Sequence, residues 1–525
     1  MSLIWSIYYA ILGLEKAFRE EYIIQDDARQ YLFWMAKFQD SELFNNDLIA
    51  DYFQSVTPKG FSSLYYVISQ LGIEPILFHK ILPLILGIIT TGYCFFVCLK
   101  FFNIPLAGFI TTILLNQSLW RQDDLVSATP RAFIYPLFLA FLYYLIEQKL
   151  LPCLIVIILQ GLFYPQTVLI YGGIFLLQLI TQKNYYKLPL FGLITAGLIL
   201  GYYALNSSSF SPVITVEQAK NLPELLENGR SAFFYKNSLF FWFFAERSGL
   251  IPALLPPLIW FGLFFPLVQK LSPIKVNNLA IIQQIILASV GLFFLAHLLL
   301  FKLHLPSRYT DHSFRIVMAL LSGITITILL NHGWLLFKKS AQYFHLIWTG
   351  LLIIFLLFYP HLDRNFPLTN YRIGGQTELY QFLQQQPKDI MIASLSSEMN
   401  NIPTFAQRSV LVAPEYAIPY HWGYYSQFRQ RLIDLVEAQY SADLTKFKMI
   451  HDRDKVNLLI IEKNAFSGEY LSKNPWLKDL PPTQDIVTQL NQGFTPAIVT
   501  KIPQCSIFEY NNLIGIKLDC LFNGF

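Results

Sequence analysis

Two pairs of adjacent carboxylates carry the sharpest chemical signal in this sequence. Asp26 and Asp27 lie in IIQDDARQYLFWMAKF with Arg29 close behind, and Asp123 and Asp124 lie in RQDDLVSATPRAF between Arg121 and Arg131. Neighbouring carboxylates repel, so one of a pair has a raised pKa unless a cation or metal stands near. A carboxylate beside a hydroxyl can act as general base, with Asp26 the first candidate and Asp27 the second. Oxygen ligands such as Asp123 and Asp124 also suit Mg²⁺ or Mn²⁺. Each pair has a plainer reading: Asp26 and Asp27 as the cap of a helix starting near Ala28, and Asp123 and Asp124 as an ion-pair cluster with Arg121 and Arg131. A third segment, KLHLPSRYTDHSFR, offers Arg308 and then Arg315 as phosphate ligands, because guanidinium groups grip phosphate through paired hydrogen bonds. Its plainer reading is interfacial anchoring by Arg and Tyr. Thr129 and Pro130 form a helix-start signal that puts Arg131 at an anion-favouring end, a third candidate for phosphate.

The elements that must position these residues are membrane spans. Of the 525 residues 54% are hydrophobic and only 14% charged, too few for the surface of a soluble protein of this size. About eleven apolar runs are long enough to count: 3–18, 76–99, 104–120, 131–147, 150–164, 166–181, 188–206, 250–268, 279–301, 315–331 and 343–360. The first is not preceded by the basic start of a signal peptide and reads as a retained span. The short loops on one side hold Lys100, Lys149, Lys183, Lys187, Lys270, Lys275, Lys338 and Lys339 against the single acid Glu147, so they face the cytoplasm. Alternation then places all three polar segments outside, together with the loop at 207–249 and everything after 360. The net charge of +4 and the absence of zinc-type Cys/His spacing give no reason to expect nucleic acid as a partner.

The expected domains are a multi-span membrane domain over 1–360, with its first outer loop at about 19–75, and an extracytoplasmic α/β domain over 361–525. In the first outer loop FNNDLIADYFQSVTPKGFSSLYYVISQLG is amphipathic, with Asp47 and Asp51 expected to face water. The C-terminal segment alternates β-rich runs (Ile390 to Leu395, Val410 to Val412, Leu458 to Ile461) with helical stretches near 424–440 and 443–452. Cys505 and Cys520 flank a hairpin around Asn511 and Asn512, which makes a disulfide between them a candidate. The Tyr-rich stretch with Arg408, Glu415, His421 and Trp422 reads first as packing and second as a sugar-binding surface. His297 reads as a satisfied histidine inside a helix bundle.

A first span, an acidic pair at its outer mouth and surface-lying helices after it resemble the GT-C clan of membrane glycosyltransferases. DDAR at 26–29 resembles the DE-x-R form of bacterial aminoarabinose transferases and the DE form of protein O-mannosyltransferases, with Asp27 where a Glu is usual. The resemblance implies an inverting transfer of a sugar from a polyprenyl-phosphate carrier to an acceptor at the outer face of a bacterial-type plasma membrane. It assigns the base to Asp26 and gives late outer loops an arginine for the carrier phosphate, here Arg308. No WWD-type motif of the oligosaccharyltransferases is present, which argues against peptide N-glycosylation. The rival reading is a noncatalytic membrane protein, either a transporter or flippase of a lipid-linked precursor or an envelope-assembly scaffold. Against transport stand spans nearly free of charge, with the polar residues gathered on one side.

Overall fold

The structure is a computed structural model that describes residues 1–181, 186–206, 208–336 and 342–522. Lys183, Lys338 and Lys339 lie outside the described residues. A helix occupies the place of each expected apolar run. The first is α1 (Ser2–Ala17), and the one at 257–271 is an irregular helical segment. The first loop carries β1 (Ile23–Gln25), α2 (Ala28–Leu32), α3 (Leu48–Val56) and α4 (Lys59–Gln70). The long helices are α5 (Pro75–Phe101), α6 (Pro105–Trp120), α7 (Ile134–Ile146), α8 (Leu150–Phe163), α9 (Gln166–Thr181), α10 (Lys187–Leu205), α11 (Leu279–Leu298), α12 (Asp311–Leu336) and α13 (Gln342–Phe358). Among the described residues four helical stretches are long and apolar enough to cross a bilayer: Pro75–Phe101, Lys187–Leu205, Leu279–Leu298 and Pro306–Gly333.

Prolines set several starts. Pro75 and Pro105 occupy the first turn of α5 and α6, where a missing N–H costs no hydrogen bond. The run expected at 250–268 departs from a regular span: it becomes a 3₁₀ segment at Pro257–Phe264, one α-turn at Phe265–Val268 and a further 3₁₀ turn. This irregular backbone is covered by α12, and the Gly262 N–H donates to Ser322 Oγ at 2.9 Å. α12 also lies close against α6. A Cβ on Gly323 would stand 2.8 Å from the Thr111 backbone nitrogen, so only glycine permits this approach. The crossing fixes the start of α12, with Asp311, His312 and Arg315, over the end of α6.

The amphipathic stretch forms α3 and α4, with one correction. Asp47 does not face water: it is 2% exposed, and its Oδ1 caps α3 by accepting the Ile49 and Ala50 N–H groups at 2.8 and 3.1 Å. Asp51 is exposed as expected.

After Phe358 the chain returns to the first loop. β2 (Tyr371–Ile373) pairs antiparallel with β1, Ile24 opposite Arg372. Beyond it come α14 (Thr377–Gln384), β3 (Met391–Ala393), β4 (Ser409–Val410), α15 (Trp422–Gln439), α16 (Thr445–Asp454), β5 (Val456–Glu462), α17 (Thr483–Asn491), β6 (Ser506–Tyr510) and β7 (Leu513–Lys517). Five strands form one mixed sheet in the order β4-β3-β5-β7-β6, parallel across β4, β3 and β5 and antiparallel thereafter. The buried central run of β5, Leu458 to Ile461, is covered on both faces, which explains its unbroken apolar sequence. Cys505 and Cys520 are joined by a disulfide with Cα atoms 5.5 Å apart.

Candidate functional site

The β1–β2 ladder places the first acidic pair. The Asp26 N–H donates to the Asn370 carbonyl at 3.0 Å, and the chain then turns into α2. Asp27 occupies the N-cap position of α2, yet its side chain accepts no capping hydrogen bond, so the helix-cap reading does not account for it. Asp26 is ion-paired twice, to Arg29 and to Arg372 at 2.9 Å. Arg29 also donates to Glu415 at 2.6 Å, and Glu415 takes Arg230 at 2.7 Å. Arg29 and Glu415 are nearly buried, at 6% and 5% exposure, so each depends on the other for its solvation. Gln30 completes this network, donating to Glu415 Oε1 at 2.7 Å.

Arg131 gathers the remaining carboxylates. Its Nη2 stands 2.5 Å from Asp27 Oδ2 and 2.8 Å from Asp123 Oδ1, and its Nε stands 3.4 Å from Asp124 Oδ1. The two acidic pairs, far apart in sequence, therefore share one guanidinium. Arg121 is not part of the cluster and lies 3.7 Å from Asp363. Asp123 Oδ2 accepts from Asn370 at 3.0 Å and from Gln25 at 3.2 Å. Thr129 does not cap the next helix; its hydroxyl bonds Ser127 Oγ at 2.9 Å, and Arg131 sits in a 3₁₀ turn, Pro130–Phe133, ahead of α7. The reversal between Asp124 and Arg131 needs Ala128 at φ 43°, a left-handed conformation costly for a residue with a Cβ.

The third polar segment meets the same cluster. Tyr135 donates to Asp124 Oδ2 at 2.9 Å and bonds His312 Nδ1 at 3.0 Å, holding both in place. Arg315 is fully buried and consumed by protein partners: Asp311 and Ser118 at 2.8 Å each and the Ala253 carbonyl at 2.9 Å. Arg308 is different. It forms no ion pair among the described residues, while Tyr164, Arg131, Asp124 and Glu246 act on it electrostatically. Tyr31 senses Asp27, Arg131 and Arg308 together, and Tyr164 senses Arg308 and Arg131, so these groups lie near one another. Burial, with smaller contributions from Tyr164 and Asp27, pushes the Tyr31 phenol up to about 12, so it is a hydrogen-bond donor at neutral pH.

The two members of the first pair are electrostatically opposite. For Asp26, burial would raise the carboxyl, but Arg372 and Arg29 override it and hold the group below the ordinary range. For Asp27, burial raises the carboxyl, Arg131 offsets this in part, and Asp123, Glu415 and Asp26 add to the rise. Its side chain nonetheless keeps 38% of its surface open to solvent. Asp124 goes the other way: burial is overridden by Arg131 and His312, and the carboxyl lies well below its usual value.

As a cation site, Asp123 and Asp124 are poorly disposed, because Arg131 already contacts both along with Asp27. Among the described residues Asp124 groups instead with Asp311 and His312, whose ligand atoms lie within 4.8 Å of one another. The donor types suit a divalent ion, although both carboxylates are already engaged, Asp124 by Tyr135 and Asp311 by Arg315.

Arg372, Tyr31 and Tyr164 received no role from the sequence, and Glu415 was read only as part of the Tyr-rich stretch. That stretch is packing: Tyr424 stacks on Tyr52 with centroids 3.8 Å apart, and Arg408 donates to the Gln384 and Gln386 carbonyls. His297 is satisfied, its Nε2 3.1 Å from the Ser248 carbonyl.

No known protein family matches the chain, and no curated protein matches its sequence. Among solved structures, the oligosaccharyltransferase of Archaeoglobus fulgidus tethered with an acceptor peptide containing the NVT sequon superposes with a TM-score of 0.51 and 12% identity. That match covers 92% of this chain and 72% of the other. The same enzyme in complex with Zn and sulfate gives 0.50 and 11%, over 90% of this chain and 69% of the other. The chain has a GT-C-type fold. With its apolar helices, this makes it an integral membrane protein.

Proposed function

We propose that this GT-C-type protein is a glycosyltransferase that moves a sugar from a polyprenyl-phosphate carrier to an acceptor, inverting the anomeric centre, at the extracytoplasmic face. The observation that supports this most is Asp27, raised and 38% exposed, held by Arg131 in a carboxylate cluster whose Arg131 and Asp124 also act on Arg308, an arginine with no ion pair among the described residues. Asp27 serves as base in preference to Asp26, whose two arginine partners make it a weaker proton acceptor. The acceptor hydroxyl loses its proton to Asp27 as its oxygen bonds the anomeric carbon. The bond from that carbon to the carrier phosphate oxygen breaks, and its electron pair leaves on the phosphate, which Arg308 stabilises. Arg131 holds Asp27 in position and offsets part of the rise that burial and the neighbouring acids impose on it. Arg315, consumed by the protein, aligns the start of α12.

In this reading Arg131 supplies the positive charge that a divalent ion would otherwise bring to the acidic pairs, so no metal step is invoked. The membrane unit is 1–360 with eleven crossings, the outer loops and residues 361–525 are extracytoplasmic, and 361–525 form the α/β domain whose β2 strand braces the first loop. Without a WWD-type motif, a hydroxyl acceptor fits better than a peptide amide. Native mass spectrometry of the detergent-purified protein tests the donor class. An adduct with the mass of an isoprenoid phosphate is the expected result; glycerophospholipid adducts without one would favour the noncatalytic reading.

A further inference from the structure

A cavity of about 320 Å³ is lined by the end of the α1–β1 connection, the first turns of α5 and the segment Thr404–Gln407, and by no residue of the acidic cluster. This is within the range of small-ligand sites, about 300–1,000 Å³. Lys80, one of its walls, is 9% exposed and has no hydrogen bond or ion pair among the described residues; its Nζ lies 5.0 Å from the centroid of the Phe18 ring. A nearly buried ammonium without a carboxylate or other anion is costly, and proteins rarely keep one without use. Thr404, also lining the cavity, is 4% exposed, and its Oγ1 has no partner within the protein. On the same walls Glu21 and Glu74 are exposed and free of ion pairs among the described residues.

The cavity thus presents one unpaired cation with an unpaired hydroxyl, and two unpaired carboxylates. It also sits at an end of a membrane span. From it Leu77, Ile81, Ile85 and Ile89 run down one face of α5 at a spacing of four, 42%, 38%, 43% and 41% exposed, a continuous apolar track along the helix. We propose that this cavity binds the headgroup of a zwitterionic aminophospholipid, its phosphate on Lys80 and Thr404, its primary ammonium on Glu21 and Glu74, and an acyl chain along the α5 track. An ammonium with N–H donors matches the two carboxylates, whereas a quaternary amine cannot donate to them and an anionic glycerol headgroup offers no cation. The lining of the cavity shares no residue with the acidic cluster, and lipid binding there does not depend on sugar transfer.

The test is competition on the full-length protein in detergent. An equimolar mixture of phosphatidylethanolamine, phosphatidylcholine and phosphatidylglycerol is added, and retained lipid is counted by native mass spectrometry. The parent should retain one phosphatidylethanolamine at least about tenfold over the others, the range of a charge-assisted hydrogen bond. Lys80→Met should lose retention of all three. The exposed double variant Glu21→Gln/Glu74→Gln, which cannot disturb the core, should lose the preference for phosphatidylethanolamine over phosphatidylglycerol. Equal retention of the three lipids by the parent, full retention by Lys80→Met, or an unchanged preference in the double variant would each overturn the proposal.

Discussion

Replacing Arg131 by Gln preserves a polar, hydrogen-bonding side chain and removes only the charge that three carboxylates share. Arg131 is 15% exposed, Asp124 5%, Asp123 22% and Asp27 38%. Stripping one partner from a buried ion cluster costs about 3–5 kcal/mol, and the water contact of Asp27 puts this case near about 3 kcal/mol. The pH dependence is more telling than the size. In the parent, Asp124 and Asp26 have depressed pKa values, so their contribution is complete above the ordinary carboxylate range and is lost only as pH falls through their lowered values. In Arg131→Gln the already raised Asp27 rises further and Asp124 loses the largest charge that depresses it, so the folded state takes up protons and gains stability as pH falls from 8 toward 5. Thermal unfolding followed by tryptophan fluorescence should therefore show a deficit against the parent that is largest at pH 8 and shrinks toward pH 5. A deficit that is absent, or constant across this range, would refute the shared-guanidinium account.

Arg308→Ala should raise the KM for a polyprenyl-phosphate sugar by about tenfold or more through loss of charge-assisted bonds, with Arg308→Lys recovering part of it; steady-state kinetics in detergent reads this out. Cys505→Ser/Cys520→Ser opens a loop with a sequence separation of 15 residues and should cost the C-terminal sheet about 3 kcal/mol, seen as faster proteolysis of that region alone. A periplasm-dependent reporter fused after residue 365 should be active if, as the lysine bias of the opposite loops leads us to propose, residue 365 is extracytoplasmic. Inactivity there would reverse the topology.

The apolar helices were legible because their signal is local: length and composition identify an apolar run without knowledge of its neighbours, and Pro75 and Pro105 mark starts by their own chemistry. The 257–271 segment was not, because composition cannot distinguish a regular helix from 3₁₀ turns that α12 shelters. At the site, the four aspartates were readable as residues but their division of labour was not. What separates Asp26 from Asp27 is the set of arginines that tertiary structure brings to each, with Arg372 lying 346 positions from Asp26 and Arg131 lying 104 from Asp27. Glu415 meets Arg29 across 386 positions and left no local trace. Asp47 was misread for the opposite reason: an amphipathic pattern predicts a wet face, but a capping carboxylate can be buried once two backbone N–H groups solvate it.

The central claim is that Asp27 is the base for transfer from a lipid-linked sugar. The direct measurement is the single-turnover rate of sugar transfer from a polyprenyl-phosphate donor, in proteoliposomes, for the parent, Asp27→Asn and Asp26→Asn side by side. The account predicts a loss of about 10² to 10⁴ for Asp27→Asn, because an amide cannot accept the acceptor proton, with donor binding retained and a much smaller loss for Asp26→Asn. Transfer by Asp27→Asn at the parental rate would contradict it.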